Sequence, residues 1–504
     1  MESCKTVVLT GIMALIMLSC NDESKKELTF EKTDAYSEKV AERIQQVENR
    51  LAYAFIIESK EETKKEFTIF ERMEYYKVPG VSIAVINDGS IEWVKGYGEL
   101  EKGSGKKVNT ESLFQSASIG KSLTAMAALA LVEQGKIELE EDVNRYLKSW
   151  KVPENELTAK AKVTLGQLLS HSGGMTVHGF GGYSVRDEIP NLLQILDGLE
   201  PSNSGPVRVD VTPGTVWRYS GGGYLVVQQM MEDITGKKFP QIMEESVSGP
   251  TVMKNSLYLP ELSDELLDNA ALAYRSDGNI VPGKYHIYPE LGAGAGLWTT
   301  PSDLARFAIE IQKSFLGESN KVLSEKMVRK MLTRRIGPSG LGLMVKRKGE
   351  SLLFSHSGGN VGYRTFLCAY AETGKGVAIM TNSDVGMMLY QEILRAIARV
   401  YGWPDFAPEE KVVAGVSPGS LDSLAGRYDL QGMLELPVFT EDGKLFIPDF
   451  FGTERKIQLY PESNTKYFDP LRGIILEFIL DENRRAEKIK IFWESMIFIA
   501  TRIE

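Results

Sequence analysis

Cysteine and histidine are scarce in this chain. Its 504 residues hold three cysteines, Cys4, Cys20 and Cys368, and four histidines, His171, His178, His286 and His356. Two of the three thiols fall within the first twenty residues, which leaves no disulfide framework for a folded body. The histidines stand apart, with no H-E-x-x-H spacing, so no metal and no organic cofactor is expected. Long apolar runs are also missing. Val7–Leu18 (VVLTGIMALIML) has twelve residues, too few to span a bilayer comfortably. No basic cluster exceeds a few residues, and 58 basic against 68 acidic residues give a net charge of −10. That charge pattern excludes nucleic acid as a partner. Nothing in the composition is biased enough for disorder, collagen or a coiled coil.

What is present is a large apolar fraction, 43%. It is enough for a sizeable core in more than one domain. The first twenty residues read as an export signal. Small Ser19 precedes Cys20, and the polar run NDESKKE follows. This resembles a bacterial lipoprotein signal, cleaved before Cys20 with lipid on its sulfur. Lys5 offset by Glu2, and Met17 in place of the usual leucine, depart from that pattern. A plain secretory signal or an uncleaved anchor are the alternatives. The expectation is a signal peptide over 1–20, a polar tether over 21–37, and an exported lipoprotein held at a membrane of the cell envelope by its lipid. Cys368, in the strand-like TFLCAYA, reads as a buried inert thiol.

Val40, Ile44, Val47, Leu51 and Phe55 recur at helical spacing. The stretch 78–100 (VPGVSIAVINDGSIEWVKGYGEL) reads as a hairpin around Asn87-Asp88-Gly89. Helical patterns fill about 112–335. Residues 118–137 are the clearest helix, with Gly135 near its end, and 299–312 begins with a Thr300 or Ser302 cap. Strands return over about 340–382, and a helix follows near 385–401. Strands, helices, then strands suggest one antiparallel sheet made from both ends of a 38–405 domain, with a helical insertion between. Residues 406–420 read as a linker. Beyond it, 421–504 alternate with turn signals such as Asp442-Gly443, the pattern of an eight-strand meander or small barrel.

Serine motifs are the obvious chemistry to seek. G-x-S-x-G occurs once, at 415–419, inside the linker, where Pro418 offers neither the strand nor the helix of a nucleophile elbow. S-x-x-K occurs at Ser104–Lys107, Ser118–Lys121 and Ser463–Lys466. The first lies in a polar loop and the third in a turn. Only Ser118 opens a strong helix. There, i and i+3 share a face, so Lys121 can lie beside Ser118 Oγ, and the helix N-terminus offers free N–H groups to a developing oxyanion. The lysine acts as a base only if burial or a nearby cation keeps it partly neutral. The alternative is an N-cap serine beside a solvated lysine.

Three segments in order, FQSASIGKSLTA, TVWRYSGGGY and FSHSGGNVGYRT, resemble the active-site elements of the penicillin-recognising serine hydrolases. That family includes class C β-lactamases, D-Ala-D-Ala carboxypeptidases, D-aminopeptidases and related esterases. Its pattern is S-x-x-K, then Y-x-N, then K-T-G or H-x-G. The resemblance covers about 40–402. It implies an antiparallel sheet flanked by helices with a helical subdomain, and an acyl-enzyme hydrolase. Ser118 would be the nucleophile, and Lys121 and Tyr219 a coupled proton-handling pair. His356 with Gly358 would face the substrate, His356 supplying a hydrogen bond and, when protonated, a positive charge. The backbone N–H groups of Ser118 and Gly359 would form the oxyanion hole. Two departures stand out. Gly221 replaces the asparagine of the second element, and His356 replaces the lysine usual in β-lactamases. Both point toward ester, amide or D-peptide substrates. A β-lactamase and a non-catalytic binding lipoprotein are the competing readings. The pentapeptide SHSGG occurs twice, at 170–174 and 355–359. His171 reads as part of a loop packed under the site. The tail, with LAGRYDL and EDGKLFI, resembles a small β-domain appended to some family members.

Overall fold

The computed structural model describes residues 36–57, 66–416, 418–430, 434–449, 456–493 and 496–504. The expected signal peptide, Cys20 and nearly all of the tether lie outside the described residues.

The Asn87-Asp88-Gly89 signal does form a hairpin. Asp88 and Gly89 both take positive φ, 51° and 68°, the geometry that suits the right-handed twist of paired strands. The turn joins β1 (Gly80–Asn87) to β2 (Ser90–Gly98). Four strands come from the other end of the domain: β3 (Met344–Lys348), β4 (Ser351–Asn360), β5 (Tyr363–Tyr370) and β6 (Gly376–Thr381). The sheet order is β2-β1-β6-β5-β4-β3, antiparallel throughout. The sheet is closed from both ends of the domain, as expected.

Its two faces follow the alternation of the strands. Ile83, Val85, Cys368, Val377 and Ile379 pack against helices α1 (Glu38–Glu48) and α5 (Gly386–Tyr401). Ala84, Ile86, Leu367, Ala378 and Met380 face the helical body. That body contains α2 (Gly120–Glu133), α3 (Gly221–Thr235) and α4 (Pro301–Phe315). Of the two expected caps of α4, Thr300 is the one used. Its Oγ1 accepts from the Asp303 N–H at 3.2 Å, and Pro301 takes the first helical position.

One helical expectation fails in part. The stripe from Val40 to Phe55 is helical only as far as Glu48. Leu51 instead exchanges backbone bonds with Phe67, and Phe55–Ile57 pair in parallel with Glu409–Lys411. Long-range pairing overrides the local period here, and it ties down part of the 406–420 stretch.

The tail forms a closed barrel of eight antiparallel strands: β7 (Gly426–Asp429), β8 (Glu435–Glu441), β9 (Lys444–Pro448), β10 (Lys456–Pro461), β11 (Lys466–Asp469), β12 (Ile474–Leu480), β13 (Ala486–Trp493) and β14 (Met496–Arg502). β14 returns to β7, so no strand edge stays open. Alternate residues such as Tyr428, Leu445, Leu459 and Phe478 fill the interior. The barrel is fastened to the first domain. Phe55 N–H donates to Pro470 O at 3.0 Å, and the Phe55 and Phe468 rings meet edge-on at 5.4 Å.

Candidate active site

Ser118 sits in a single 3-10 turn, Ala117–Ile119, that runs directly into α2. The turn is held under constraint. Ala117 has φ +50°, a left-handed conformation costly for any residue with a Cβ. It persists because its surroundings over-determine it. Ser116 N–H donates to Leu297 O at 2.9 Å, and Ser116 O accepts from Thr365 Oγ1 at 2.8 Å. The residue behind that contact must be glycine, since a Cβ on Gly358 would lie 2.2 Å from Ser116 O. Strand β4 is thereby drawn against the serine turn.

Lys121 follows Ser118 by one helical turn and is 3% exposed. Its Nζ donates to Ser118 Oγ at 3.0 Å and to Ala293 O at 2.8 Å. The carbonyl arrives because Gly294 and Gly120 touch backbone to backbone. A Cβ on Gly120 would stand 2.5 Å from Gly294 Cα. Burial without an anionic partner lowers the Lys121 ammonium to about 7. Near neutrality a large share of this amine is therefore unprotonated, the condition for it to act as a base.

Tyr219 lies at the end of the loop preceding α3. Ser220 caps that helix, its Oγ accepting from Gly223 N–H at 3.0 Å. The Tyr219 phenol is raised by burial, and its hydrogen bond with Ser118 opposes that rise. Lys121 Nζ is 5.2 Å from the Tyr219 ring centroid. Hydroxyl, amine and phenol therefore converge from two segments about a hundred residues apart. The position of the family's asparagine, Gly221, has no room for a side chain. A Cβ there would meet the Phe180 ring at 2.8 Å.

His356, on β4, is 4% exposed and 6.3 Å, ring to ring, from Tyr219. Its Nδ1 lies 2.7 Å from Ser357 O. A carbonyl only accepts, so Nδ1 carries the proton and Nε2 presents a lone pair. Nε2 is buried and has no partner among the described residues. Desolvation, aided by the Lys121 charge, lowers the imidazolium to about 4. The positive charge expected from His356 when protonated is thus confined to acid pH. Near neutrality it is an uncharged ring whose free nitrogen accepts.

Strand β4 pairs with β5 up to Asn360–Tyr363. Beyond Ser355, β4 has no strand partner on its β3 side among the described residues. The alternation of an antiparallel ladder turns the Gly359 N–H toward that uncovered edge. Gly359 is exposed there, close to the Arg364 guanidinium.

Sequence reasoning undervalued one residue. His171 lies 4.2 Å from Tyr219, ring to ring, and its carbonyl accepts from Arg218 N–H at 2.8 Å. Its Nδ1 accepts from Ser220 N–H at 3.1 Å. The residues on both sides of Tyr219 are therefore bonded to His171. It does pack under the site, as expected, and it also fixes the backbone that carries the phenol. Burial lowers its basicity well below the usual range, with further contributions from Lys121 and His356. His178 adds a third tie, Nδ1 to Tyr219 O at 2.6 Å. Nothing in the local sequence pointed to His178, nor to the carbonyl of Ala293.

Comparisons with known proteins bear on the family and the fold. The Beta-lactamase family model matches residues 68–401. A penicillin-binding protein of Bacillus subtilis (strain 168) is 25% identical over 445 residues, spanning 85% of this chain and 95% of the relative. Among solved structures, the octameric penicillin-binding protein homologue from Pyrococcus abyssi superposes with a TM-score of 0.55 at 23% identity, covering 86% of this chain and 98% of that one. D-amino acid amidase from Ochrobactrum anthropi SV3, complexed with L-phenylalanine, gives a TM-score of 0.55 at 21% identity, covering 72% and 100%. The family match over residues 68–401 and the shared fold lead to one assignment: this chain belongs to the Beta-lactamase family, as a penicillin-binding-protein-like hydrolase with a C-terminal β-barrel.

Proposed function

We propose that the chain is an exported serine hydrolase that cleaves a carboxylic ester or amide through an acyl-enzyme on Ser118. The observation that carries this reading is the buried Lys121 amine, 3.0 Å from Ser118 Oγ and lowered to about 7. Ser118 Oγ attacks the substrate carbonyl carbon as its proton passes to the Lys121–Tyr219 pair. Both members touch Ser118, Lys121 through its bond to Oγ and the Tyr219 phenol through its own, so either can take that proton. Negative charge gathers on the former carbonyl oxygen, which the N–H groups of Ser118 and Gly359 receive. The tetrahedral adduct collapses, the C–O or C–N bond breaks, and the pair returns its proton to the leaving group. Water then attacks the acyl carbon by the same route, and Ser118 is freed.

Two features favour neutral or amine-bearing esters and amides over β-lactams. Gly221 offers no amide to an acylamino side chain, and His356 offers no positive charge to a carboxylate near pH 7. The D-amino acid amidase of similar fold supports D-aminoacyl amides as the first class to try. A lipid on Cys20 would hold this activity at the cell envelope. The test is hydrolysis of p-nitrophenyl esters and D-amino-acid amides by the chain lacking residues 1–20, beside Ser118→Ala. The expected result is turnover abolished by the substitution. Turnover that survives Ser118→Ala overturns the reading, and nitrocefin hydrolysis faster than any ester or amide shifts it to a β-lactamase. A radiolabelled palmitate experiment in cells, comparing Cys20→Ser, tests the anchor. Equal label in both forms removes it.

A further inference from the structure

A cavity of about 500 Å³ lies between the C-terminal barrel and the Phe55–Ile57 strand, lined by none of the residues around Ser118. That volume is typical of small-molecule sites, which favour domain interfaces and barrel mouths. Its walls come from both partners. Phe55 and Ile57 close one side, and Leu445 and Leu459, from adjacent barrel strands, form another. The strand pairing explains why there is an opening. β10 and β11 share only two residue pairs, Tyr460–Phe468 and Pro461–Tyr467, so the wall beside Leu459 is thinly closed.

Two polar groups distinguish this cavity from an ordinary packing defect. Tyr467 lines it and is 1% exposed, yet its hydroxyl has no hydrogen-bond partner among the described residues. The other buried tyrosine of the barrel, Tyr428, donates to Leu424 O at 2.6 Å. An orphaned buried hydroxyl is destabilising, so one left in a cavity wall calls for an external partner. At the rim stands Lys444, exposed and without an ion-pair partner among the described residues. Its cross-strand neighbour, Glu441, is already bound by Lys456. An apolar body, one interior hydroxyl and one free cation at the mouth together specify the ligand.

We propose that this cavity binds an amphipathic monocarboxylate, a hydrocarbon tail seated against Leu445 and Leu459 and its carboxylate held by Lys444. The Tyr467 hydroxyl donates to the same carboxylate, the partner that this buried group lacks among the described residues. The site is separate from the hydrolytic centre and gives the barrel a role of its own.

The experiment is calorimetric titration of decanoate and decanol into the full chain. Decanoate is expected to bind one per chain, equally in wild type and Ser118→Ala. Leu459→Phe, which fills the cavity, should weaken it by about tenfold or more. Lys444→Ala should weaken decanoate by about threefold while leaving decanol and ester hydrolysis unchanged. Because Leu459→Phe perturbs a core, its melting curve is recorded, and Lys444→Ala decides alone if that variant unfolds. No heat of binding, undiminished binding in a folded Leu459→Phe, or binding lost in Ser118→Ala each overturns the site. Decanol binding as tightly as decanoate, insensitive to Lys444→Ala, overturns the carboxylate assignment.

Discussion

The two SHSGG pentapeptides are identical in sequence and opposite in use. In the first, His171 takes φ +58° at a turn after Leu165–Leu169, and its Nδ1 accepts a backbone N–H. In the second, His356 lies on an extended strand, and its Nδ1 donates to a backbone carbonyl. One ring is therefore an Nε2–H tautomer and the other an Nδ1–H tautomer, fixed by neighbours that the pentapeptide does not contain. The glycines differ in the same way. Gly174 has φ +67° and abuts Val211 O, which serves a turn, whereas its counterpart Gly359 lies exposed on the strand β4. The lesson is that a local identity carries no role. The role comes from what each segment meets: the backbone around Tyr219 in one case, the serine turn in the other.

Substitutions at and around the two histidines test that contrast, and their effects on turnover should decline in a definite order. Lys121→Ala removes the group whose charge both imidazoles feel. Acylation should fall by about 10²–10⁴-fold with little change in melting temperature. In ¹H–¹⁵N spectra the His356 imidazole should also titrate at higher pH than its value of about 4. A fast Lys121→Ala enzyme would remove the shared centre of the comparison.

His171→Ala comes next. It leaves a cavity under Tyr219 and strips the Ser220 N–H of its acceptor, so a loss of about 2–4 kcal/mol in stability is expected. A fall of about 10–100-fold in kcat should accompany it through the displaced phenol. A melting curve and steady-state kinetics on one sample check both. Loss of stability with kcat intact would return His171 to plain packing. His356→Ala should be milder, about tenfold in acylation, and equal for neutral and carboxylate-bearing esters at pH 7. A deficit confined to carboxylate substrates would mean that the ring carries charge in the cleft after all.

The pH profile sharpens the picture further. Activity should rise with pH through about 7 as Lys121 loses its proton. It should fall below that point, because the protonated amine cannot accept from Ser118. The smallest effect on turnover belongs to Glu290, a carboxyl outside both pentapeptides. It is wholly buried, without a partner for either oxygen among the described residues, and desolvation raises it to about 8. The native state keeps this proton where the unfolded chain, at the ordinary value of 4.5, has lost it. Stability should therefore decline as pH rises from about 4.5 to 8. Glu290→Gln should flatten that decline, by on the order of 3 kcal/mol at pH 8, with turnover unchanged. Denaturant midpoints at pH 5 and 8 measure it, and an unaltered slope would show that Glu290 has a partner in solution.

Much of this architecture was legible because its signals are local. The Asp88-Gly89 turn, the apolar α2, the Thr300 cap and the alternation of 421–504 each act over a few residues, and each formed as expected. The Ser118–Lys121 spacing was readable for the same reason, since i and i+3 meet on any helix. What was hidden depends on distant contacts. The break in the α1 stripe follows from pairing between Phe55 and Glu409. The lowered Lys121 depends on burial, together with a carbonyl at position 293. The neutrality of His356 depends on enclosure by several segments, which no single stretch announces.

Whether Ser118 is the nucleophile can be read from peptide mapping by mass spectrometry after reaction with a fluorophosphonate, at pH 6 and pH 8. One adduct is expected, on Ser118, forming faster at pH 8 and absent from Ser118→Ala. An adduct on another serine, or labelling that persists at full rate in Ser118→Ala, would contradict it.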